Sequence, residues 1–228
     1  MGFRAPIAVF DLDGTLADTA ADLVSTLNLV LGWEGVPALP VEQARDLIGA
    51  GGRVLISKGF AAAGRELTPE RLDRLYLAFL KAYGQDICRQ TTLFPGALAA
   101  LERLEAAGFT LAICTNKIEA HSVRLAQALG IADRFAANCG RDTFAWYKPD
   151  PRHLLMTIER AGGDPARAVM VGDSTSDIGA ARAAGVPSIA VSFGYSETPA
   201  RELGADLVVD RFDDLFAGIE RLVPAMAA

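Results

Sequence analysis

The fold is decided by the stretch Val9-Phe10-Asp11-Leu12-Asp13-Gly14-Thr15-Leu16, in which an apolar run ends in two aspartates and a glycine. Residues 7–10 are apolar without alternation, which predicts a strand buried on both faces of a parallel sheet. Because burying an unpaired charge is costly, we expect Asp11 and Asp13 at the carboxyl end of this strand, where open α/β sheets bind ligands. Neighbouring carboxylates there need a cation, and Mg²⁺ is the natural candidate. The alternative interpretation is a simple turn, in which Asp and Gly are common.

The composition of the chain predicts a folded protein with a sizeable core. Its 228 residues suffice for one large domain or for a domain that carries an insertion, and 51% of them are hydrophobic. The formal net charge of −6 argues against a nucleic-acid or anionic-membrane partner, because no basic field would attract a polyanion. A small anionic substrate needs only a local cation and is compatible with this charge. We expect a monomer or a homodimer.

Cysteine usage and the first residues predict a cytoplasmic protein. Cys88, Cys114 and Cys139 are scattered, so we expect reduced, packed side chains rather than disulfides or a metal site. The first residues carry one Arg and no long apolar stretch follows, which argues against a signal peptide. No run approaches the roughly 18 apolar residues of a membrane helix. His121 and His153 have no ligand spacing beside them, and we expect them at surface or structural positions.

A helical segment follows the first strand. Apolar residues in the range 16–31 fall near a period of about 3.6 residues, and a glycine-rich turn at residues 49–52 precedes a second apolar helix. Thr68 is expected to cap a third helix, with Pro69 at its first position. Because residues 18–91 contain no convincing strand, they predict an inserted helical module.

Strands and helices alternate in the rest of the chain. This alternation predicts βαβ units, a parallel sheet and right-handed crossovers. We therefore expect a Rossmann-like, doubly wound α/β core built from residues 1–17 and 92–228. Its later strands are expected at residues 109–114, 135–139, 168–171, 188–191 and 206–209.

Polar side chains stand near the ends of several predicted strands. They are Asp11 and Asp13, Thr115, Lys148, and Asp173 with Asp177. Because the carboxyl ends of parallel strands share one edge of the sheet, these residues can meet around one ligand. Carboxylates for a cation, a hydroxyl and an ammonium together fit phosphoryl transfer, in which positioning and charge neutralisation supply most of the catalysis.

Four segments, in this order, resemble the motifs of the haloacid dehalogenase (HAD) superfamily. They are Asp11-Leu12-Asp13-Gly14-Thr15, Thr115-Asn116, Lys148-Pro149 and Gly172-Asp173-Ser174-Thr175-Ser176-Asp177. Each motif alone is weak, but four in order are specific. The helical insertion directly after the first motif resembles the C1-type cap of that superfamily. The resemblance implies a hydrolase that acts on a small phosphorylated metabolite.

The resemblance also implies roles for the residues near Asp11. Asp11 is implied as the nucleophile that forms an aspartyl-phosphate, and Asp13 as the general acid and then the general base. Thr115 is implied to hydrogen-bond a phosphoryl oxygen, together with the backbone amides of Leu12 and Asn116.

A Mg²⁺ ion is implied as well, held by Asp11, Asp173 and the backbone carbonyl of Asp13. The ion is needed because an anionic nucleophile must approach an anionic phosphate. Lys148 is implied to neutralise charge on the nucleophile and on the phosphate. Asp177 is implied to orient Lys148 or a water on the metal, without being a metal ligand itself.

The helical module resembles that of the phosphoglycolate phosphatase group, which implies 2-phosphoglycolate as the leading substrate. The resemblance rests on Leu16-Ala17-Asp18-Thr19, on Ile48-Gly49-Ala50-Gly51-Gly52 and on the length of the module. Gly51 lets the backbone approach a small substrate, and Arg53 beside it is a candidate to bind a substrate carboxylate. A solvated helix face is the alternative interpretation for Arg53.

Other activities remain alternatives. A broad sugar-phosphate phosphatase or a phosphomutase would keep the same core residues, whereas a phosphonatase would need a lysine in the helical module, for which Lys58 is the candidate. A dehalogenase is disfavoured, because that reaction does not use Asp13. A non-enzymatic phospho-acceptor that resembles receiver domains would share acidic residues, a threonine and a lysine at the sheet edge. The helical insertion argues against this last alternative.

Overall fold

The structure, a computed structural model, describes residues 5–44, 48 and 51–223. Its first elements are β1 (Ile7–Phe10), β2 (Ala17–Asp18), α1 (Ala20–Trp33), α2 (Val41–Ala44), α3 (Gly52–Ala62) and α4 (Pro69–Gln85). Strands and helices then alternate as β3 (Thr92–Leu93), α5 (Ala97–Ala106), β4 (Thr110–Cys114), α6 (Glu119–Ala128), β5 (Ala137–Cys139), α7 (Pro151–Arg160), β6 (Ala168–Gly172), α8 (Thr175–Ala184), β7 (Ser188–Val191), β8 (Leu207–Val209) and α9 (Leu215–Leu222).

Six of these strands form one parallel sheet in the order β5-β4-β1-β6-β7-β8. This sheet confirms the predicted doubly wound α/β core. β1 pairs with β4 on one side and with β6 on the other, and Phe10 lies opposite both Ile113 and Val171. The three strands therefore end at the same level of the sheet.

Helices cover both faces of the sheet. All four residues of β1 are fully buried, as the uninterrupted apolar run predicts. Ile7 and Val9 pack in a cluster with residues of α7 and α8, whereas Ala8 and Phe10 belong to a larger cluster that includes residues of α5 and α9. Because alternate side chains of a strand point to opposite faces, this one short strand packs against both helical layers.

The helices between β2 and β3 pack against one another. α1 contacts both α3 and α4, and α3 contacts α4. The hydroxyl of Thr68 accepts a hydrogen bond from the N–H of Arg71 at 3.3 Å, and Pro69 is the first residue of α4. The predicted cap of this helix is thereby confirmed. Apolar residues of these helices, such as Leu55 and Phe79, join the same cluster as Phe10.

The predicted start of the first helix is wrong, and one pair of short strands was not predicted. The helix predicted to follow Thr15 begins only at Ala20, because the carbonyl of Leu12 accepts hydrogen bonds from the N–H groups of Leu16 and Ala17 in a turn. Strand β2 comes next and pairs antiparallel with β3, so a strand pair joins the two ends of the region. Strands of two residues have no alternation that a sequence pattern can reveal.

The predicted division of the chain between residues 17 and 18 and between residues 91 and 92 falls at the β2–β3 pair, and it stays a prediction. Gly49 and Ala50 of the glycine-rich turn lie outside the described residues. Within the described part of the chain, no helix has both the length and the apolar character that crossing a membrane requires.

Candidate active site

The ends of three neighbouring strands bring the polar residues together. Asp11 follows β1, Thr115 follows β4 and Asp173 follows β6. The N–H of Asp11 donates to the carbonyl of Val171 at 2.9 Å, and the N–H of Thr115 donates to the carbonyl of Cys139 at 3.0 Å. Sheet pairing therefore continues into these residues, and rigid elements position their side chains.

Asp11 is a buried carboxylate held by one amide and one ammonium. Its Oδ1 accepts a hydrogen bond from the N–H of Leu12 at 2.7 Å and lies 3.1 Å from the Nζ of Lys148. Burial raises the pKa of Asp11 to about 6, although the charge of Lys148 opposes the increase. The charge of Asp177 raises this pKa further, and a hydrogen bond from Thr115 lowers it. Additional positive charge nearby would favour the ionised form of Asp11.

Asp173 is held by the backbone of one loop and by the turn after β1. Its carboxylate accepts hydrogen bonds from the N–H of Tyr195 at 2.7 Å and from the hydroxyl of Thr15 at 3.0 Å. Burial, followed by the charges of the neighbouring carboxylates, raises the pKa of Asp173 to about 8. Gly14 has a φ of +81°, and a Cβ at this position would lie 2.4 Å from Asp173 Oδ2. The turn therefore requires glycine for its backbone and for the approach of Asp173.

Lys148 is a fully buried ammonium that links Asp11 to Asp177. Its Nζ donates to Oδ1 of Asp177 at 2.5 Å and to the carbonyl of Cys114 at 2.6 Å. Burial lowers the pKa of Lys148, but the two carboxylates raise it more, so the group stays charged. Oδ2 of Asp177 accepts hydrogen bonds from the N–H and the hydroxyl of Ser174, at 2.9 and 2.7 Å. Asp177 thus orients Lys148 and caps α8 at the same time.

The three buried carboxylates form a set that fits a metal ion. Asp11, Asp173 and Asp177 each have an oxygen within 4.8 Å of the others. Burial and the repulsion among these charges raise the pKa values of Asp11 and Asp173, and a cation would offset both effects. Oxygen donors alone suit a hard divalent cation, so the residues present fit Mg²⁺. The predicted third ligand, the backbone carbonyl of Asp13, stays a prediction.

Thr115 and Asn116 lie at the end of β4 beside Asp11. The hydroxyl of Thr115 accepts a hydrogen bond from the N–H of Lys117 at 3.3 Å, and Nδ2 of Asn116 donates to the carbonyl of Lys148 at 3.0 Å. The Oδ1 atom of Asn116 is buried without a hydrogen-bond partner among the described residues. The assignment of these groups, and of the Leu12 amide, to phosphoryl binding stays a prediction.

A cleft lies between the sheet edge and the helical region. It encloses about 650 Å³ of empty space, which includes open solvent at its mouth. Residues of α3, α4 and the turn before α3 form an apolar wall that includes the aromatic rings of α4. The opposite wall is polar and comes from the strand ends, with Asp11, Asp13, Thr115, Asn116 and Lys117.

The two predicted substrate contacts from the helical module differ in their surroundings. Gly51 lines the cleft. Arg53 forms an ion pair with Asp73, and its guanidinium lies 4.6 Å from the centre of the Tyr76 ring. Its side chain is nearly half exposed and does not line the cleft, which is the arrangement of a solvated helix face. The contact of Arg53 with substrate stays a prediction that no contact in the structure supports.

Among the residues of the cleft that sequence reasoning misses are Lys117, Tyr83 and His121. Nζ of Lys117 lies 2.9 Å from both carboxylate oxygens of Asp13 and 4.4 Å from the centre of the Tyr83 ring. The position of Lys117 directly after Asn116, at the end of β4, was the available signal. Tyr83 and His121 lie on α4 and α6, and no local pattern indicates that these helices meet.

The fold and the site define a class of hydrolase. The model of the haloacid dehalogenase-like hydrolase family matches residues 8–191. The chain belongs to this family, as its four motifs indicate. Two relatives carry a more particular name, phosphoglycolate phosphatase. The one from Mesorhizobium japonicum is 49% identical over 221 residues, which cover 96% of this chain and 97% of the relative. The one from Agrobacterium fabrum is 48% identical over 226 residues, which cover 98% of this chain and 97% of the relative.

A solved structure agrees with this relationship. It is that of a predicted phosphoglycolate phosphatase from Haemophilus somnus 129PT, with 29% sequence identity to this chain and a TM-score of 0.86. The superposition covers 95% of this chain and 99% of that chain. The predicted fold class and the prediction of a phosphatase enzyme of this family are thereby confirmed.

Proposed function

We propose that this enzyme hydrolyses a small phosphomonoester through an aspartyl-phosphate on Asp11, and that 2-phosphoglycolate is its leading substrate. The observation that carries the proposal is the buried cluster of Asp11, Lys148, Asp173 and Asp177, placed beside a cleft with one polar and one apolar wall. The relatives named phosphoglycolate phosphatase, which match nearly the whole chain at 48% and 49% identity, support the choice of substrate.

In the first half of the proposed reaction, a carboxylate oxygen of Asp11 attacks phosphorus. A bond forms between this oxygen and phosphorus while the bond from phosphorus to the glycolate oxygen breaks. Asp13 donates a proton to that leaving oxygen. Lys148, 3.1 Å from Asp11, offsets the negative charge that collects when the nucleophile meets the phosphate. Thr115, with the amides of Leu12 and Asn116, holds the phosphoryl oxygens.

In the second half, water attacks the phosphorus of the aspartyl-phosphate. Asp13 accepts a proton from this water, and the bond to Asp11 breaks to release inorganic phosphate. One carboxyl group therefore serves as acid and then as base.

Asp11, Asp173 and the backbone carbonyl of Asp13 are the proposed Mg²⁺ ligands. When bound, the ion supplies positive charge that lets an anionic nucleophile approach an anionic phosphate. Asp177 keeps Lys148 beside the nucleophile, because both of its carboxylate oxygens already accept hydrogen bonds from protein groups.

The phosphonatase alternative gains no support from the helical module. Lys58, its candidate Schiff-base lysine, forms an ion pair with Glu197 and is not among the residues that line the cleft. The phosphomutase and broad-phosphatase alternatives keep the same core residues, so only a substrate assay separates them from the proposal.

Phosphate release from a panel of esters, with Mg²⁺ and with EDTA, tests the proposed function. The panel contains 2-phosphoglycolate, hexose phosphates, nucleotides and phosphonoacetaldehyde. We expect Mg²⁺-dependent release with a large kcat/KM preference for 2-phosphoglycolate. Equal rates for many esters would refute the named substrate but not the phosphatase. The absence of release from every ester would refute the phosphatase and favour a phosphomutase or a stable phospho-acceptor.

A further inference from the structure

Lys117 is a buried ammonium on the wall of the cleft. Its side chain is 5% exposed, and both oxygens of Asp13 lie 2.9 Å from its Nζ. Burial lowers the pKa of Lys117, but the charge of Asp13 raises it more, so the group stays positively charged. The proposed reaction gives this ammonium no task, since Lys148 already stands beside the nucleophile.

Positive charge is scarce on the walls of this cleft. Of the described residues that line it, Lys117 is the only one with a permanent positive charge. The other basic residue, His121, has its pKa lowered to about 4 by burial and then by the charge of Lys117, so it is neutral at pH 7. Arg53 and Lys58 are not among the residues that line the cleft. A second anionic group on a substrate therefore has one cation to approach.

Tyr83 offers a hydrogen-bond donor beside this cation. Its side chain is almost fully buried, and its hydroxyl lies near the ammonium of Lys117 without a well-formed hydrogen bond to another described residue. Burial raises the pKa of Tyr83 to about 12, although the nearby Lys117 opposes the increase, so the hydroxyl keeps its proton. A buried hydroxyl without a partner is costly, and a ligand oxygen would remove that cost.

A close contact between helices α4 and α6 holds this donor in place. The rings of Tyr83 and His121 meet edge to face with their centres 5.5 Å apart. Gly84 permits the contact, because a Cβ at this position would lie 2.8 Å from Nε2 of His121. The ring of Tyr83, on α4, is therefore held against His121 of α6, on the side of the cleft that carries Lys117.

We propose that Lys117, with the Tyr83 hydroxyl, binds an anionic group on the leaving-group side of the substrate. This inference rests on the proposed function and narrows its substrates to phosphate esters whose alcohol carries an anionic group. Asp13 is proposed to contact the leaving oxygen, and Lys117 is one hydrogen bond away from Asp13. An anionic group within a few bonds of that oxygen can therefore reach Lys117. A carboxylate on the carbon that carries the ester oxygen fits, and a hexose phosphate does not.

The test compares two esters of equal length, 2-phosphoglycolate and ethyl phosphate, which carries a methyl group in place of the carboxylate. The variant is Lys117→Met, and Lys81→Met is its matched control because Lys81 is an exposed lysine of α4. We expect Lys117→Met to lower the ratio of kcat/KM for 2-phosphoglycolate to kcat/KM for ethyl phosphate by about 10- to 100-fold. Lys81→Met should leave the ratio unchanged.

A ratio is used because Lys117 also contacts Asp13. Loss of that contact alone would slow both esters equally and leave the ratio intact, and this outcome overturns the proposal. A wild-type enzyme that hydrolyses both esters equally well overturns it too. If the wild type hydrolyses neither the panel esters nor ethyl phosphate, the proposed function fails instead, so the two failures are distinguishable.

Tyr83→Phe provides a second test if Lys117→Met does not fold. This variant keeps the ring and removes only the hydroxyl, and Tyr147→Phe at an exposed tyrosine is the control. We expect Tyr83→Phe to lower the ratio of kcat/KM for 2-phosphoglycolate to kcat/KM for ethyl phosphate by about 2- to 10-fold, mainly by raising KM for 2-phosphoglycolate. An unchanged ratio in this variant overturns the assignment of the hydroxyl to the substrate.

Discussion

Asp11 and Asp13 stand two residues apart in different surroundings. The side chain of Asp11 is buried against Lys148, whereas Asp13 is partly exposed to the cleft and paired with Lys117. Neighbouring carboxylates in different environments can take different tasks in one reaction. This difference in surroundings supports the proposed roles, in which Asp11 attacks phosphorus and Asp13 donates and accepts protons.

Asparagine substitution of either aspartate tests that division. We expect Asp11→Asn to lower kcat by about 10³-fold or more, because an amide cannot form the aspartyl-phosphate. Asp13→Asn should be similarly impaired, because it can neither donate nor accept the proton. Steady-state phosphate release and circular dichroism measure activity and folding. Asp133→Asn, at an exposed aspartate, is the matched control. Near-normal activity in a folded Asp11→Asn or Asp13→Asn variant would contradict the mechanism.

Asp173 links the proposed Mg²⁺ ion to the stability of the fold. Because an ion that binds only the folded state stabilises it, about 100-fold excess of Mg²⁺ over its Kd should raise the free energy of unfolding by about 2.7 kcal/mol. We expect a corresponding rise in Tm for the wild type and none for Asp173→Asn. Thermal melts with and without Mg²⁺ measure this, again with Asp133→Asn as control. If Asp173→Asn keeps the full Mg²⁺-dependent rise in Tm, Asp173 is not a ligand of the ion.

The sequence reveals some residues of the site and hides others. Asp11 and Asp173 can be predicted to meet because each directly follows a buried strand of a parallel sheet. Lys117 also follows a strand, but the resemblance assigns it no role. Tyr83 reaches the cleft only through the packing of α4 on α6, and such a contact between distant segments leaves no local pattern.

At the scale of elements, two residues hold the connections between the sheet and the helical region. The buried carboxylate of Asp22, in the first turn of α1, accepts hydrogen bonds from three consecutive N–H groups at residues 89–91 and from the hydroxyl of Thr91. The hydroxyl of Tyr195 donates to Asp18 of β2 and accepts from the N–H of Ala20 at 3.1 Å. The N–H of Tyr195 donates to Asp173, so one residue contacts both the site and the entry to α1.

Asp22→Asn should weaken the joint between α1 and the segment before β3. The amide has one acceptor oxygen instead of two and no negative charge. Its NH₂ group faces the N–H of Gln90 in one orientation and all three N–H groups in the other, and the remaining hydrogen bonds lose their charge assistance. We expect a decrease of about 1–3 kcal/mol in the free energy of unfolding, measured by urea denaturation. Asp86→Asn, at an exposed aspartate in the same part of the chain, should change it by less than about 0.5 kcal/mol. Equal effects of the two substitutions would disprove the role of Asp22.

The elements themselves were largely predictable. Long apolar runs and strong caps identify β1, β6 and α4, because burial on both faces and the Thr68 cap leave clear patterns. The bounds of the later strands differ from the predicted ones by two residues at most. The pair β2–β3 was not predictable, because it depends on two segments that are distant in sequence and two residues long each.

At the scale of the whole molecule, two buried histidines make stability depend on pH. His121 and His153 are both buried, so of the two predicted alternatives, a surface or a structural position, the structural one fits His153. Its ring nitrogens lie 3.6 Å from Sγ of Cys114 and 3.1 Å from the carbonyl of Gly140. Burial, with the charge of Lys148, lowers the pKa of His153 to about 4.

The sign of the effect follows from this lowered pKa. In the unfolded chain histidine binds a proton below about pH 6.5, whereas folded His153 stays neutral until about pH 4. The unfolded state therefore binds more protons in this window, and stability falls as the pH decreases through it. From pH 7.5 to pH 5, His153 should contribute a loss of about 2 kcal/mol.

Urea denaturation of the wild type and of His153→Gln at both pH values measures this contribution. The variant should be less stable overall but should lose about 2 kcal/mol less than the wild type on acidification. Contributions of other groups, such as the raised pKa values of Asp11 and Asp173, are common to both proteins and cancel in the comparison. Identical losses in the two proteins would contradict the assignment.

The antiparallel pair of β2 and β3 has a consequence for how such a molecule evolves. Ala17 lies opposite Leu93 and Asp18 opposite Thr92, so the two ends of the segment that carries α1 to α4 lie at adjacent points. In the topology of the chain, the whole segment between β2 and β3 takes the place of the loop in a β-hairpin. The cost of closing a loop grows only with the logarithm of its length. Descendants of this chain can therefore lengthen, trim or exchange the helices without moving a strand, and acquire new specificities while inheriting the same chemistry.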